Sequence, residues 1–196
     1  EILNLLQTDL GVGKYVSAWA KNFNSIEDFT IWLNWIREWR KFTKDGHEQA
    51  QRLYDELKEK YPEENIAMYI GEAWQLNQRL SMGLSQNSEQ DKERLKYLIN
   101  RAIEFDPESS DAYNARALIS LINFNGPCEA SLEDMKRAEK NGSTQETLLI
   151  GAAVYRRCGD LKKAIASMKE VLKIVPNDPG WFQTGNLVML LFRDGQ

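Results

Sequence analysis

An all-α array of antiparallel helix pairs is the fold class this sequence predicts, and three observations predict it. First, amphipathic runs end in similar punctuation at near-regular intervals. Ala102-Ile103-Glu104-Phe105-Asp106-Pro107, Ala138-Glu139-Lys140-Asn141-Gly142 and Val171-Leu172-Lys173-Ile174-Val175-Pro176-Asn177 each close one run. Pro107 to Asn141 is 34 positions and Asn141 to Pro176 is 35, about the length of two helices with their two turns. Second, apolar residues recur at helical spacing, as in the Ala164, Met168, Val171 stripe. Third, no stretch alternates with period two over a useful length, so strands are not expected.

The elements follow in order. Ile2 to Leu10 reads as a short amphipathic helix, Gly11-Val12-Gly13 as a break, and 14–21 as a second short helix. Ser25 is a good N-cap, with Asp28 three positions on as a weaker partner than Glu or Gln. It opens a helix expected to run to Phe42. Further helices are expected over 45–60, 64–82, 88–105, 109–124, 127–140, 144–158, 161–174 and 180–193. The earlier stop at Lys60-Tyr61-Pro62 lies 45 positions before Pro107. The excess over the later period is read as an insertion around 82–88.

Composition removes more chemistry than it offers. With 196 residues, 42% apolar and 28% charged, the chain is globular. Its net charge of −4 argues against a general nucleic-acid binder, which needs a basic face. The longest apolar run, Leu187 to Phe192, is far short of a membrane span. Two cysteines cannot supply a four-ligand zinc site, and one histidine excludes any site built on two imidazoles. No catalytic residue, metal ligand or cofactor is therefore expected. His47, lacking a second ligand, is read as a solvated side chain. The start at Glu1-Ile2-Leu3, without an initiator Met or a signal sequence, suggests a piece of a longer protein.

The fourth pair is the most specific. Thr147-Leu148-Leu149-Ile150-Gly151-Ala152-Ala153-Val154-Tyr155 puts small residues on one helix face, and Gly159-Asp160 breaks the helix. Ala164, Met168 and Val171 stripe the second helix, which Pro176 ends. This pattern resembles the tetratricopeptide (TPR) repeat, which implies a right-handed solenoid of antiparallel helix pairs. Ala50, Leu57 and Pro62 keep its second-helix pattern in the first pair. Ala102 and Pro107 keep it in the second, and Ala130 and Ala138 in the third.

Ser25-Ile26-Glu27-Asp28-Phe29-Thr30-Ile31-Trp32-Leu33 is similar to the opening of the C-terminal TPR region in bacterial multidomain class III adenylate/guanylate cyclases. Arg40-Lys41-Phe42-Thr43-Lys44-Asp45-Gly46-His47-Glu48-Gln49-Ala50 and Asn177-Asp178-Pro179-Gly180-Trp181-Phe182 resemble two further motifs of that region. Related TPR regions also follow winged-helix transcription regulators. The resemblance implies three parts: 1–24 as the helical end of a preceding module, 25–177 as about four TPR-like pairs, and 178–196 as the unpaired helix of a truncated fifth repeat. It implies an interaction or regulatory domain whose partner is a protein, a peptide or a second copy, with no nucleic acid and no membrane span in this chain. The location would be periplasmic if the parent crosses a membrane before this region, and otherwise cytoplasmic.

Several residues carry the sharper expectations. Trp32, Trp35, Trp39 and Phe42 fall on one helix face, either as core or as part of a concave groove. In TPR geometry that groove would be lined by Trp32, Trp35, Trp39, Trp74, Asn77, Gln78, Asn114, Arg156, Arg157 and Arg193, a mixture that binding hot spots favour. Cys128 and Cys158 fall at the same end of adjacent antiparallel helices, which leaves either a disulfide or two buried thiols. The disulfide would favour the periplasm. The last helix would leave Leu187, Val188, Leu190 and Leu191 uncovered, for a partner or a second copy to cover. Gly11-Val12-Gly13-Lys14 lacks the flanking residues of a phosphate loop, and Asn141-Gly142-Ser143 is read as a cap and turn rather than a glycosylation site.

Overall fold

Side-chain caps decide where the helices begin. Ser25 Oγ accepts the Asp28 N–H at 3.0 Å and opens α1 (Ile26–Arg40). Thr43 does the same for α2 (Lys44–Lys60), Asn65 for α3 (Ile66–Ser81) and Asn87 for α4 (Ser88–Phe105). Ser109 caps α5 (Ser110–Asn123) and Thr144 caps α7 (Gln145–Arg157). Asp160 Oδ1 accepts the Lys163 N–H at 3.0 Å at the start of α8 (Leu161–Ile174). Helix α6 (Cys128–Asn141) opens without a side-chain cap; Pro127 precedes it and lacks an N–H to satisfy. The last helix is α9 (Phe182–Arg193).

The computed structural model describes residues 19–61, 64–142, 144–174 and 182–193. Among them are nine helices and no strand. The expected helix over 2–10, most of that over 14–21, Pro62, Pro176 and the motif at 177–181 lie outside the described residues. The chain divides into two compact units, Lys14–Pro107 and the residues from Glu108 onward.

In the first unit α1 packs on α2, α2 on α3 and α3 on α4. Helices that pack together across connections this short run antiparallel. The core combines Trp32 and Trp35 with Ala50, Tyr54 and Leu57, and continues through Ile70, Ala73, Leu95, Leu98 and Ala102. Gly71 admits the α1 ring: a Cβ there would stand 2.9 Å from Trp32 Cζ3. The excess spacing of this unit is not one insertion. The pair α3 and α4 has 16 and 18 residues where α5 and α6 have 14 each, and the 82–87 connection adds little more.

In the second unit α5 packs on α6 and α7 on α8, while α7 also packs on both α5 and α6. Helix α9 lies on α8. This last contact corrects the expected uncovered face. Leu190 is buried, and Leu187 and Leu191 pack against Ala152, Tyr155, Ala164, Ile165 and Met168 of α7 and α8. The residues left outward are Val188, Met189 and Phe192, the last 83% exposed. A helix that buries one stripe presents the opposite one to solvent, and the leucines form the stripe nearer its neighbour.

Candidate functional site

Two tryptophans expected either in the core or in the groove are core. Trp32 and Trp35 are 1% and 3% exposed, with rings stacked at 4.5 Å. They sit in a ladder that starts at Trp19 and Phe23 and ends at Trp39 and Trp74. Trp19 and Trp32 centroids are 5.0 Å apart, Trp35 and Trp39 6.0 Å, and Trp39 and Trp74 5.7 Å. The buried indole N–H groups of Trp32 and Trp35 have no hydrogen-bond partner. Only Trp39 and Trp74, at the far end, are half-buried. Phe42 leaves the stripe altogether, because the chain turns at φ 51° there and directs it away from the helix face.

A polar lock holds the far end of this ladder. Trp39 Nε1–H donates to the Trp74 carbonyl at 3.2 Å, and Gln78 Nε2–H donates to the Trp39 carbonyl at 2.7 Å. His47 Nδ1 lies 2.9 Å from Gln78 Oε1. The amide oxygen can only accept, so Nδ1 carries the proton and donates. Gln75 Nε2–H donates to the His47 carbonyl at 2.9 Å. His47 is therefore a buried tie among three helices, 6% exposed, and not the solvated side chain expected. The signal was present: His47, Ala50, Tyr54 and Leu57 recur at i, i+3, i+7 and i+10, which puts the imidazole on the core face of α2.

The other groove candidates divide. Asn77, Gln78 and Asn114 are buried, so they offer no surface to a ligand. Asn114 Nδ2–H donates to Thr147 Oγ1 at 3.1 Å. Thr147 Oγ1 in turn lies 3.2 Å from Ser110 Oγ and 3.0 Å from the Gly142 carbonyl, which pins the turn after α6. Gly142 is the C-cap of α6, as expected. Arg156 is half-buried, while Arg157 and Arg193 are exposed. The ten residues are split between the two units: Trp32, Trp35, Trp39, Trp74, Asn77 and Gln78 in the first, the rest in the second. Cys128 and Cys158 form a disulfide with Cα atoms 5.6 Å apart, joining the first residue of α6 to the C-cap of α7.

Two charged networks escaped sequence reasoning because their partners are distant in sequence. Arg116 clasps Asp134 with two bonds of 2.8 and 2.7 Å, tying α5 to α6. Glu72 receives Arg94 at 2.7 and 2.8 Å and Lys58 at 2.7 Å, and the Tyr54 hydroxyl lies 3.2 Å away. Burial, reinforced by the Glu72 charge, pushes the Tyr54 phenol far up. For Glu72, burial pushes the carboxyl up, but the Arg94 and Lys58 bonds outweigh it and hold it below its ordinary 4.5. A carboxyl depressed in the folded state contributes stability above its unfolded value and loses it as pH falls through the folded one. Wild-type chain should therefore melt above Glu72→Gln at pH 6. That gap should narrow as pH falls from 4.5 toward 3, read by circular dichroism melts. A gap independent of pH would remove the ion pairs as its source.

Among the described residues, no group of three His, Cys, Asp or Glu could hold a metal ion, and no helix is long and apolar enough to cross a membrane. Neither a protein-family model nor a curated protein matches the chain.

Proposed function

We propose that this chain is a TPR-type interaction and regulatory domain, a right-handed solenoid of helix pairs attached to a bacterial adenylate/guanylate cyclase. It binds a protein or peptide, or a second copy of itself, and biases dimerisation of the attached cyclase. One observation supports this most: in the second unit α7 packs on both helices of the preceding pair, the contact that stacks one repeat on the next. Gly151 sits at that approach, where a Cβ would come within 3.2 Å of Met135 Cε. The resemblance of the sequence motifs supplies the cyclase. Exposed Val188, Met189 and Phe192 on α9 support self-association through that helix. The chemistry of the parent belongs to its cyclase domain, and no catalytic role falls to this chain.

The test is removal of residues 25–193 from the parent protein, reading cyclic-nucleotide output and, by light scattering, the fraction of dimer. Both should change, with the isolated cyclase domain still active. Unchanged output and unchanged dimer fraction would overturn the proposal. The disulfide favours a second reading, because such bonds persist in oxidising compartments. In that reading the chain is the periplasmic sensory region of a membrane-tethered winged-helix regulator. The sequence preceding Glu1 separates the two: paired metal-binding aspartates in one, a winged helix in the other.

A further inference from the structure

We propose that α9 is the contact by which two copies of this chain pair, antiparallel about a two-fold axis that passes between Val188 and Met189. This rests on the interaction-domain reading and commits its self-association to one surface and one register. Helix α9 buries Leu190 and packs Leu187 and Leu191 against α7 and α8. Its opposite side is a second stripe, Gly185, Val188, Met189 and Phe192, at i, i+3, i+4 and i+7, and all four are exposed. A surface helix ordinarily carries polar residues on the side away from the core. Two apolar stripes on opposite sides call for two neighbours, and among the described residues the fold supplies one of them.

The order of residues along the second stripe selects another copy of the same helix as the missing neighbour. An interface about a two-fold axis is self-complementary, so each position must suit its mate on the other copy. With the axis between Val188 and Met189, Val188 stands level with Met189 of the second copy, and Gly185 with its Phe192. The largest side chain of the stripe thus faces the position that has none. A Cβ built on Gly185 meets nothing within 4 Å, so the space above it is open to the incoming ring. The axis repeats this fit at both ends of the pair. Charge agrees with the register. Copies of a chain with net charge −4 repel one another, yet Phe182–Arg193 holds no Asp or Glu and a single cation, Arg193. Arg193 stands level with Thr184 of the second copy, so the two guanidinium-bearing positions lie about 13 Å apart along the axes. That exceeds the screening length of about 10 Å at 0.1 M salt. A parallel pair would bring them together and set Phe192 against Phe192. The pair would cover roughly 800 Å² on the two copies together, below the about 1,200–2,000 Å² of stable complexes, which makes it a weak dimer. A helix that seeks an anionic bilayer carries several cations beside its apolar stripe, and α9 has only Arg193.

Sedimentation equilibrium of the full 196-residue chain, with its disulfide intact, reads the pairing. Wild type should pass from mostly monomer at about 5 μM to mostly dimer at about 1 mM, as an interface of this size implies. Phe192→Ala and Gly185→Phe should each weaken the dimer at least about tenfold, the first by removing the ring and the second by setting ring against ring. Combined in one chain, the two substitutions move the ring to the other end of the stripe and restore the fit. The double variant should therefore dimerise within about threefold of wild type, far from the sum of the single effects. Both positions are exposed, and replacing a helix glycine raises helix propensity. Circular dichroism melts at about 5 μM, where little dimer contributes to stability, should give Gly185→Phe a midpoint no lower than wild type. A lower midpoint would place Gly185 inside the fold rather than on its surface and overturn the proposal. Wild type that stays monomeric at about 1 mM would also overturn it, as would a dimer that tolerates Phe192→Ala or a double variant as weak as either single one. None of these results touches the interaction-domain reading, which stands or falls on the output of the parent protein without residues 25–193.

Discussion

Trp32→Ala is expected to destabilise the first unit by about 3–5 kcal/mol, the range for deleting a large buried aromatic. The ring is 1% exposed and touches neighbours on every side: Trp19 at 5.0 Å, Phe23 at 5.7 Å and Trp35 at 4.5 Å between centroids. These neighbours belong to α1 itself and to the segment before it, and Gly71 of α3 closes on the ring from across the core. Trp32→Phe should cost much less than the alanine variant. The buried Trp32 N–H has no partner, so removing it relieves a desolvation penalty and offsets some of the lost packing. Urea titration followed by far-ultraviolet circular dichroism measures both. Ile26→Ser, at an exposed position on the same helix, should stay within about 0.5 kcal/mol. Equal costs for the Phe and Ala variants would mean that the ring volume is not what matters.

Gly71 makes the same site testable by coupling. A methyl at that position would meet Trp32 Cζ3 at 2.9 Å and Tyr54 Cε2 at 3.3 Å, and both belong to rings held in the core. Gly71→Ala alone is expected to cost about 1–3 kcal/mol through overpacking. In the Trp32→Ala background the obstructing ring is gone, and the same substitution becomes neutral or stabilising. The two effects are then far from additive, as expected for residues in direct contact. Additive costs would place the origin of the Gly71 effect somewhere other than the ring.

Helix positions were readable from sequence because they depend on local chemistry. Ser25, Asn87 and Thr144 are caps whose oxygen reaches an N–H two or three residues on, and such signals survive without tertiary knowledge. The buried side of α8 was readable too, since the stripe of Ala164, Met168 and Val171 sets it. Depth was not. Helical spacing places Trp32, Trp35 and Trp39 on one face, but it does not say that Trp32 lies against Trp19 and Phe23 and Trp35 is buried beside it, while Trp39 reaches the rim. Polarity misled in the same way. Gln78 and Asn114 read as groove residues, but they are buried because His47, Trp39 and Thr147 supply partners from 31, 39 and 33 residues away. Those separations carry no local signal. The turn at Phe42 was hidden for a different reason: a bulky residue in a left-handed cap violates the preference by which helix ends are recognised.

Loss of the Cys128–Cys158 bond is expected to cost the second unit about 3–4 kcal/mol. The estimate follows from loop closure: the bond spans 30 residues, and fixing the ends of such a loop removes that much entropy from the unfolded chain. Native geometry adds little to the change, because α7 is held to α6 independently, and α5 and α8 pack on α7 as well. The fold should therefore persist without the bond, at lower stability. Cys128→Ser, Cys158→Ser and the wild-type chain in excess dithiothreitol should share one guanidinium midpoint, below that of the oxidised protein. Adding dithiothreitol to either variant should change nothing. Coincident unfolding curves for oxidised and reduced wild type would show that the bond contributes no stability. They would also remove the main support for a periplasmic position, since a bond that stabilises nothing gives no reason to fold in an oxidising compartment.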